Sequence, residues 1–195
     1  MPGKHLSLGC VVMAAGNSIR FGANKLLSGY EGKTLIERSL DAVPKEDLSL
    51  VCVVTQYEEI RKLAYRYGFL AVENHRPEEG VSLSVRLGTE RIMDSVDAIL
   101  YMVSDQPFLR RESLKGLISF FRSHPENIIG ASCNGKRRNP CIFPKKHFPA
   151  LCSLKGDTGG SSVIRSNMDE LLLFEMEERE LSDVDSPEDL HLLTN

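Results

Sequence analysis

The chain has 195 residues, 42% of them hydrophobic and 26% charged, with 24 Lys and Arg against 27 Asp and Glu for a formal net charge of −3. That length fits one compact domain spanning residues 1–195, and the composition excludes a chain that is mainly disordered or fibrous. It also excludes an overall positive field of the kind that gathers nucleic acid or anionic membrane, so any polyanion must be held by a local site.

The segment from Leu6 to Met13 reads as a buried strand, followed directly by the small, turn-forming run Ala14-Ala15-Gly16-Asn17-Ser18. Thr34-Leu35-Ile36-Glu37 has the spacing of a capping box and predicts a helix running toward Ala42. Leu50 to Thr55 is a second apolar run, after which Ile60, Leu63, Ala64 and Tyr67 recur at helical spacing. Leu70 to Val72 makes a short strand, and Ser82 to Met93 a helix that Gly88 weakens. Ala98 to Val103 is the clearest buried strand. A helix marked by Leu114, Leu117, Ile118 and Phe121 follows, then a strand from Ile128 to Cys133 and a short one from Cys141 to Phe143 beyond a basic turn. Gly156 to Gly160 is a loop, Leu171 to Met176 a strand, and Ser186-Pro187-Glu188-Asp189 opens a last helix. Strand and helix alternate as in an α/β protein with a doubly wound, mostly parallel sheet flanked by helices. The longest apolar runs are strand-length, far short of the roughly 20 residues of a membrane span. With no signal-peptide pattern at Met1 to Leu8, the expected location is cytoplasmic.

Five cysteines without a C-x-x-C pair point to reduced thiols, with Cys10 and Cys52 as small core residues. Cys133 and Cys141 flank the basic turn and are placed to meet across a hairpin, although zinc would need further ligands. The five histidines are scattered without metal-ligand spacing, and Ser104 lacks a nucleophile-elbow context.

The segment from Met13 to Lys25 has the make-up of a phosphate cradle. Small residues after a strand let backbone amides approach phosphate oxygens, and Arg20 and Lys25 can offset the remaining charge. A purely structural glycine loop is the alternative; the spacing fits neither a dinucleotide fingerprint nor a P-loop. Asp105 lies two residues past the strand ending at Val103, at the carboxyl edge where parallel sheets present ligands. It is placed to bind metal or to cap the next helix.

In order along the chain, Ala14-Ala15-Gly16-x-Ser18-x-Arg20-Phe21-Gly22-x-x-Lys25, Gly80-x-Ser82-x-Ser84, Ser104-Asp105-Gln106-Pro107-Phe108, Arg138-Asn139-Pro140, Gly156-Asp157-Thr158-Gly159-Gly160 and Asp183-Val184-Asp185-Ser186-Pro187-Glu188-Asp189-Leu190 resemble the nucleotidyltransferases that activate molybdenum cofactor. The resemblance is to their cytidylyltransferase branch and implies a Rossmann-like nucleotidyltransferase domain. It further implies transfer of CMP from CTP to the terminal phosphate of molybdopterin cofactor, with release of pyrophosphate. By the same resemblance Lys25, Arg20 and Asp105 are catalytic. Ala14, Ala15, Gly16, Ser18, Gly80, Ser82 and Ser84 join Lys25 in binding nucleotide, and Asn139, Pro140, Gly156, Asp157 and Gly159 meet the pterin substrate. Asp105 and Asp185 are then the ligands of Mg²⁺, which is content with two protein carboxylates because phosphates and water complete its shell. Asp185 is favoured over Asp183, although Asp183 and Asp189 can each bind metal through water or cap the terminal helix.

Guanylyltransferases usually carry a second glycine where Ala15 stands, and the added methyl narrows the room beside a base, favouring a pyrimidine. Met13 in place of Leu, and Ser104 where glycine is common, are departures that bear on substrate choice. The rival readings are a GTP-using enzyme, a sugar- or polyol-phosphate nucleotidyltransferase, and a noncatalytic cofactor carrier or insertion factor serving a molybdenum hydroxylase. That hydroxylase is also the expected recipient of the product.

Overall fold

The computed structural model describes residues 6–16, 24–186 and 188–189. In chain order the elements are β1 (Leu8–Ala14), β2 (Gly29–Tyr30), β3 (Lys33–Thr34), α1 (Leu35–Ala42), β4 (Leu50–Thr55), α2 (Glu58–Arg66), β5 (Leu70–Glu73) and α3 (Val81–Ile92). Then come β6 (Ala98–Val103), α4 (Arg111–Ser123), β7 (Ile128–Cys133), β8 (Lys136–Pro144), α5 (Phe148–Cys152), α6 (Ser161–Arg165) and β9 (Leu171–Glu175). Seven strands form one sheet in the order β5-β4-β1-β6-β8-β7-β9, and β2 pairs with β3 as a separate ribbon. β5, β4, β1 and β6 are parallel; β8 runs against both of its neighbours, and β9 is parallel to β7.

Alternation along the strands sorts side chains to the two faces. Cys10, Val12 and Ala14 of β1 pack with Ile36 and Leu40 of α1, Ile60 of α2 and Leu117 of α4. Val11, between them, packs on the other face with Val85 of α3, Leu151 of α5 and Ile164 of α6. The sheet is thus wound on both sides, as the alternating pattern predicts. Thr34 Oγ1 accepts from the Glu37 amide at 3.3 Å, and Glu37 Oε2 accepts from the Thr34 amide at 2.8 Å, so the predicted capping box opens α1. Gly88 is a requirement of packing: a Cβ there would stand 2.4 Å from Val11 Cγ1, so only glycine lets α3 close on β1.

The basic segment differs from expectation. The turn is Asn134-Gly135, both left-handed at φ 52° and 71°, the combination a tight two-residue hairpin needs. Lys136 to Arg138 therefore belong to β8 itself. Asn139-Pro140, expected as a turn, also lies within β8, joined by a cis peptide bond. Register pairs Ser132 with Arg137 and Gly130 with Cys141, so Arg138, Asn139 and Pro140 bulge opposite Ala131. Cys133 pairs with Lys136, so it does not face Cys141 across the hairpin. All five cysteines are free, and burial pushes the Cys52 thiol up to about 11.

Candidate active site

The site forms at the carboxyl edge of β1 and β6, in a cleft of about 1190 Å³. Lys25 reaches it from a single helical turn, Lys25–Leu27, which Asn24 caps by accepting from the Leu26 amide. Its Nζ donates to Asp105 Oδ2 at 2.9 Å, to the Val184 carbonyl at 2.9 Å and to Asp185 Oδ1 at 3.1 Å. Three residues separated by 80 and 160 positions in sequence thus meet at one atom. Burial pulls the Lys25 pKa down, but the Asp105 charge and the hydrogen bonds to both carboxylates outweigh it and hold the ammonium above its ordinary value.

Asp105 is fixed by its own backbone, whose carbonyl accepts from the Val184 amide at 2.8 Å. The neighbouring Ser104 is structural: its hydroxyl donates to the Met13 carbonyl at 2.8 Å, and its carbonyl accepts from the buried Ser39 hydroxyl at 2.9 Å. Gln106 Nε2 donates to the Leu181 carbonyl and to Asp183 Oδ1 at 3.0 Å. Asp183 and Asp185 lie outside any strand. Asp183 turns to Gln106, and partial burial, followed by the nearby Asp105 charge, raises its pKa. Asp189 bonds back to the preceding residues: its carboxylate accepts from the Asp185 and Ser186 amides, and its amide donates to the Ser186 hydroxyl, while most of the helix expected here lies outside the described residues.

Ala15 and Gly16 line the cleft, whereas Ala14 is fully buried and points into the core. The Ala15 carbonyl accepts from Gln56 Nε2 at 2.8 Å and the Gly16 carbonyl from the Tyr57 hydroxyl at 3.0 Å, which fixes the first peptides of the glycine loop. Ser18 and Arg20 lie outside the described residues. Gly80, Ser82 and Ser84 line the wall opposite, at the start of α3. Gly80, at φ 85°, presses on the next predicted segment, since a Cβ there would stand 2.8 Å from the Gly156 carbonyl. The Val81 amide donates to Asp157 Oδ1 at 3.3 Å, and Ser84 accepts from the buried Asn74.

Gly156 and Asp157 line the cleft; Gly159 packs behind them against Val81. Asn139 and Pro140 are not cleft-lining, although the pairing of Tyr101 with Cys141 brings them to the same carboxyl edge. No described histidine lines it. Sequence reasoning missed Gln56, Tyr57, Arg86 and Lys155. The first two follow β4, whose parallel register sets Thr55 beside Ala14. Arg86 lies four residues past Ser82, hence on the same side of α3.

The donor set suits a hard divalent cation. Asp105 Oδ1 is buried with no partner in the protein. Among the described lining residues, the three cations Lys25, Arg86 and Lys155 face five carboxylates, Glu78, Glu79, Asp105, Asp157 and Asp185, leaving two net negative charges for a bound cation to offset. No three His, Cys, Asp or Glu among the described residues form a protein-only cage, so phosphates and water would complete the shell.

A mostly parallel sheet with a glycine loop, a lysine and carboxylates at its carboxyl edge defines a nucleotidyltransferase. The model of the MobA-like NTP transferase domain matches residues 10–171, and the chain belongs to that family. Over 94% of both chains it is 27% identical to the purine catabolism protein PucB of Bacillus subtilis. It is 24% identical to a probable molybdenum cofactor guanylyltransferase of Halalkalibacterium halodurans, over 71% of this chain and 70% of that one. Among solved structures, Rv0371c of Mycobacterium tuberculosis superposes with a TM-score of 0.80 at 22% identity, covering 96% of this chain and 97% of that one.

Proposed function

We propose that the protein transfers CMP from CTP to the terminal phosphate of molybdopterin cofactor, in a reaction that depends on Mg²⁺. The observation that carries this reading is the meeting of Lys25, Asp105 and Asp185 at one edge of the cleft. An oxygen of the acceptor phosphate bonds to the α-phosphorus, the bond from that phosphorus to the α–β bridging oxygen breaks, and pyrophosphate leaves with the electron pair. The acceptor phosphate is ionised near neutral pH, so no general base is needed, and positioning and charge cancellation carry the rate. Mg²⁺, held by Asp105 and Asp185, would supply positive charge at the phosphate oxygens. Lys25 stays protonated and offsets charge on the α-phosphate, while Gln56 and Tyr57 hold the Ala15 and Gly16 carbonyls in place.

The acceptor is read from the family and from the cofactor guanylyltransferase relative. The pyrimidine is read from Ala15, whose methyl narrows the cleft beside the loop. Pyrophosphate release is measured with molybdenum cofactor and CTP, GTP or ATP in Mg²⁺. CTP is expected to be preferred, and Asp105→Ala and Asp185→Ala to lower turnover at least about a hundredfold. A preference for GTP overturns the base assignment, and turnover retained in Asp105→Ala overturns the mechanism.

A further inference from the structure

Two cations in the cleft have no role in the scheme above. Arg86 is half-buried on α3, and its Nε is buried without a hydrogen-bond partner. Lys155 is exposed on the loop that follows α5. Both line the cleft. Neither side chain makes an ion pair or hydrogen bond among the described residues. In contrast, the third described cation of the lining, Lys25, is engaged by two carboxylates and a carbonyl.

The loop and the helix form one wall. The Ser82 amide donates to the Gly156 carbonyl, the Val81 amide to Asp157 Oδ1, and Gly80 abuts the backbone of Gly156 and Asp157. The Arg86 charge is felt at the end of α5, where it pulls the Cys152 thiol down against burial and Glu90, which push it up. Of the carboxylates nearby, Asp157 Oδ1 accepts from the Val81 amide and Glu79 is paired with Arg76 at 2.5 Å, while Glu78 and Glu90 are exposed to solvent. A guanidinium with a desolvated, unused N–H is costly to keep unless an acceptor meets it, and a phosphate is the acceptor its fork fits.

We propose that Arg86 and Lys155 form a second anion subsite in the cleft, one that holds a phosphomonoester of the acceptor apart from the triphosphate bound at the glycine loop and Lys25. This rests on the nucleotidyl-transfer reading and narrows its acceptor class: a phosphate-bearing molecule is selected over one offering only a hydroxyl. The subsite also eases the repulsion between an anionic nucleophile and the triphosphate it attacks.

The test uses Arg86→Met and Lys155→Met, the latter at an exposed position where truncation leaves packing intact. In pyrophosphate-release assays with molybdenum cofactor, each variant is expected to raise the acceptor KM tenfold or more while the CTP KM stays within twofold. Inorganic phosphate is expected to inhibit competitively against the acceptor in the unaltered protein and to lose that competition in both variants. Binding of radiolabelled inorganic phosphate by equilibrium dialysis, with circular dichroism confirming the fold, reads the subsite without turnover. Phosphate bound by the unaltered protein and lost in both variants supports the proposal even if no nucleotide is turned over, a result that would overturn only the transfer reading. Equal phosphate binding in all three proteins, no binding in any, or an increase confined to the CTP KM overturns the subsite.

Discussion

Lys25 carries one ammonium and offers it to three acceptors, two of them charged. Its side chain is only 13% exposed, so this attraction is little screened by salt. Because its pKa in the folded protein is raised, the interaction is fully present below the ordinary lysine value and is lost only as pH rises through the higher folded one. The nucleotide KM is therefore expected to show no lysine limb across neutral pH and to climb only above about pH 10.4. A steady-state pH series checks this, and a limb near pH 8 that vanishes in Lys25→Met would contradict it. The same residue marks how far a sequence can be read. Asp105 was legible because a short apolar strand ends just before it, and Lys25 because small residues precede it. Arg86 was hidden, since a lone arginine on an amphipathic helix looks like any solvated side chain until its burial is known.

At the level of elements, α1 is held at its start by the reciprocal bonds of Thr34 and Glu37, and its Ser39 supports the Ser104 carbonyl beside Asp105. Thr34→Ala removes one half of that cap and is expected to cost about 1 kcal/mol, seen as a lower urea midpoint with an unchanged slope. Central strands were the most legible elements: β4, β6 and β7 have the expected bounds because continuous apolar runs buried on both faces leave little choice. β8 was not. Its first half is basic and exposed, and a bulge interrupts the alternation that would have marked it. Gly88 misled in the other direction, since helix propensity registers its cost and says nothing of the sheet it admits.

Across the whole molecule, the segment after β9 returns over the carboxyl edge to deliver Asp185. It is docked by Gln106 to the Leu181 carbonyl, by the Val184 amide to the Asp105 carbonyl, and by Glu180, which is 3% exposed. Glu180 accepts from the Arg110 backbone and guanidinium and from the Ser113 hydroxyl. Arg110→Met leaves that buried carboxylate short of partners and is expected to lower the urea midpoint with an unchanged slope. It should also weaken Mg²⁺-dependent CTP binding by loosening the segment that carries Asp185. Calorimetric titration with CTP and Mg²⁺ reads the second effect, and unchanged affinity would separate docking of the segment from the site.

That returning segment also sets an order of events on the ribosome. Synthesis proceeds from the first strand onward, and early parts of a chain fold ahead of late ones. The glycine loop, Lys25 and Asp105 all emerge before the final carboxylate, with some eighty residues between Asp105 and Asp185. A nascent chain can therefore assemble the central strands before Asp185 emerges, so that the proposed centre is completed after the sheet that carries it.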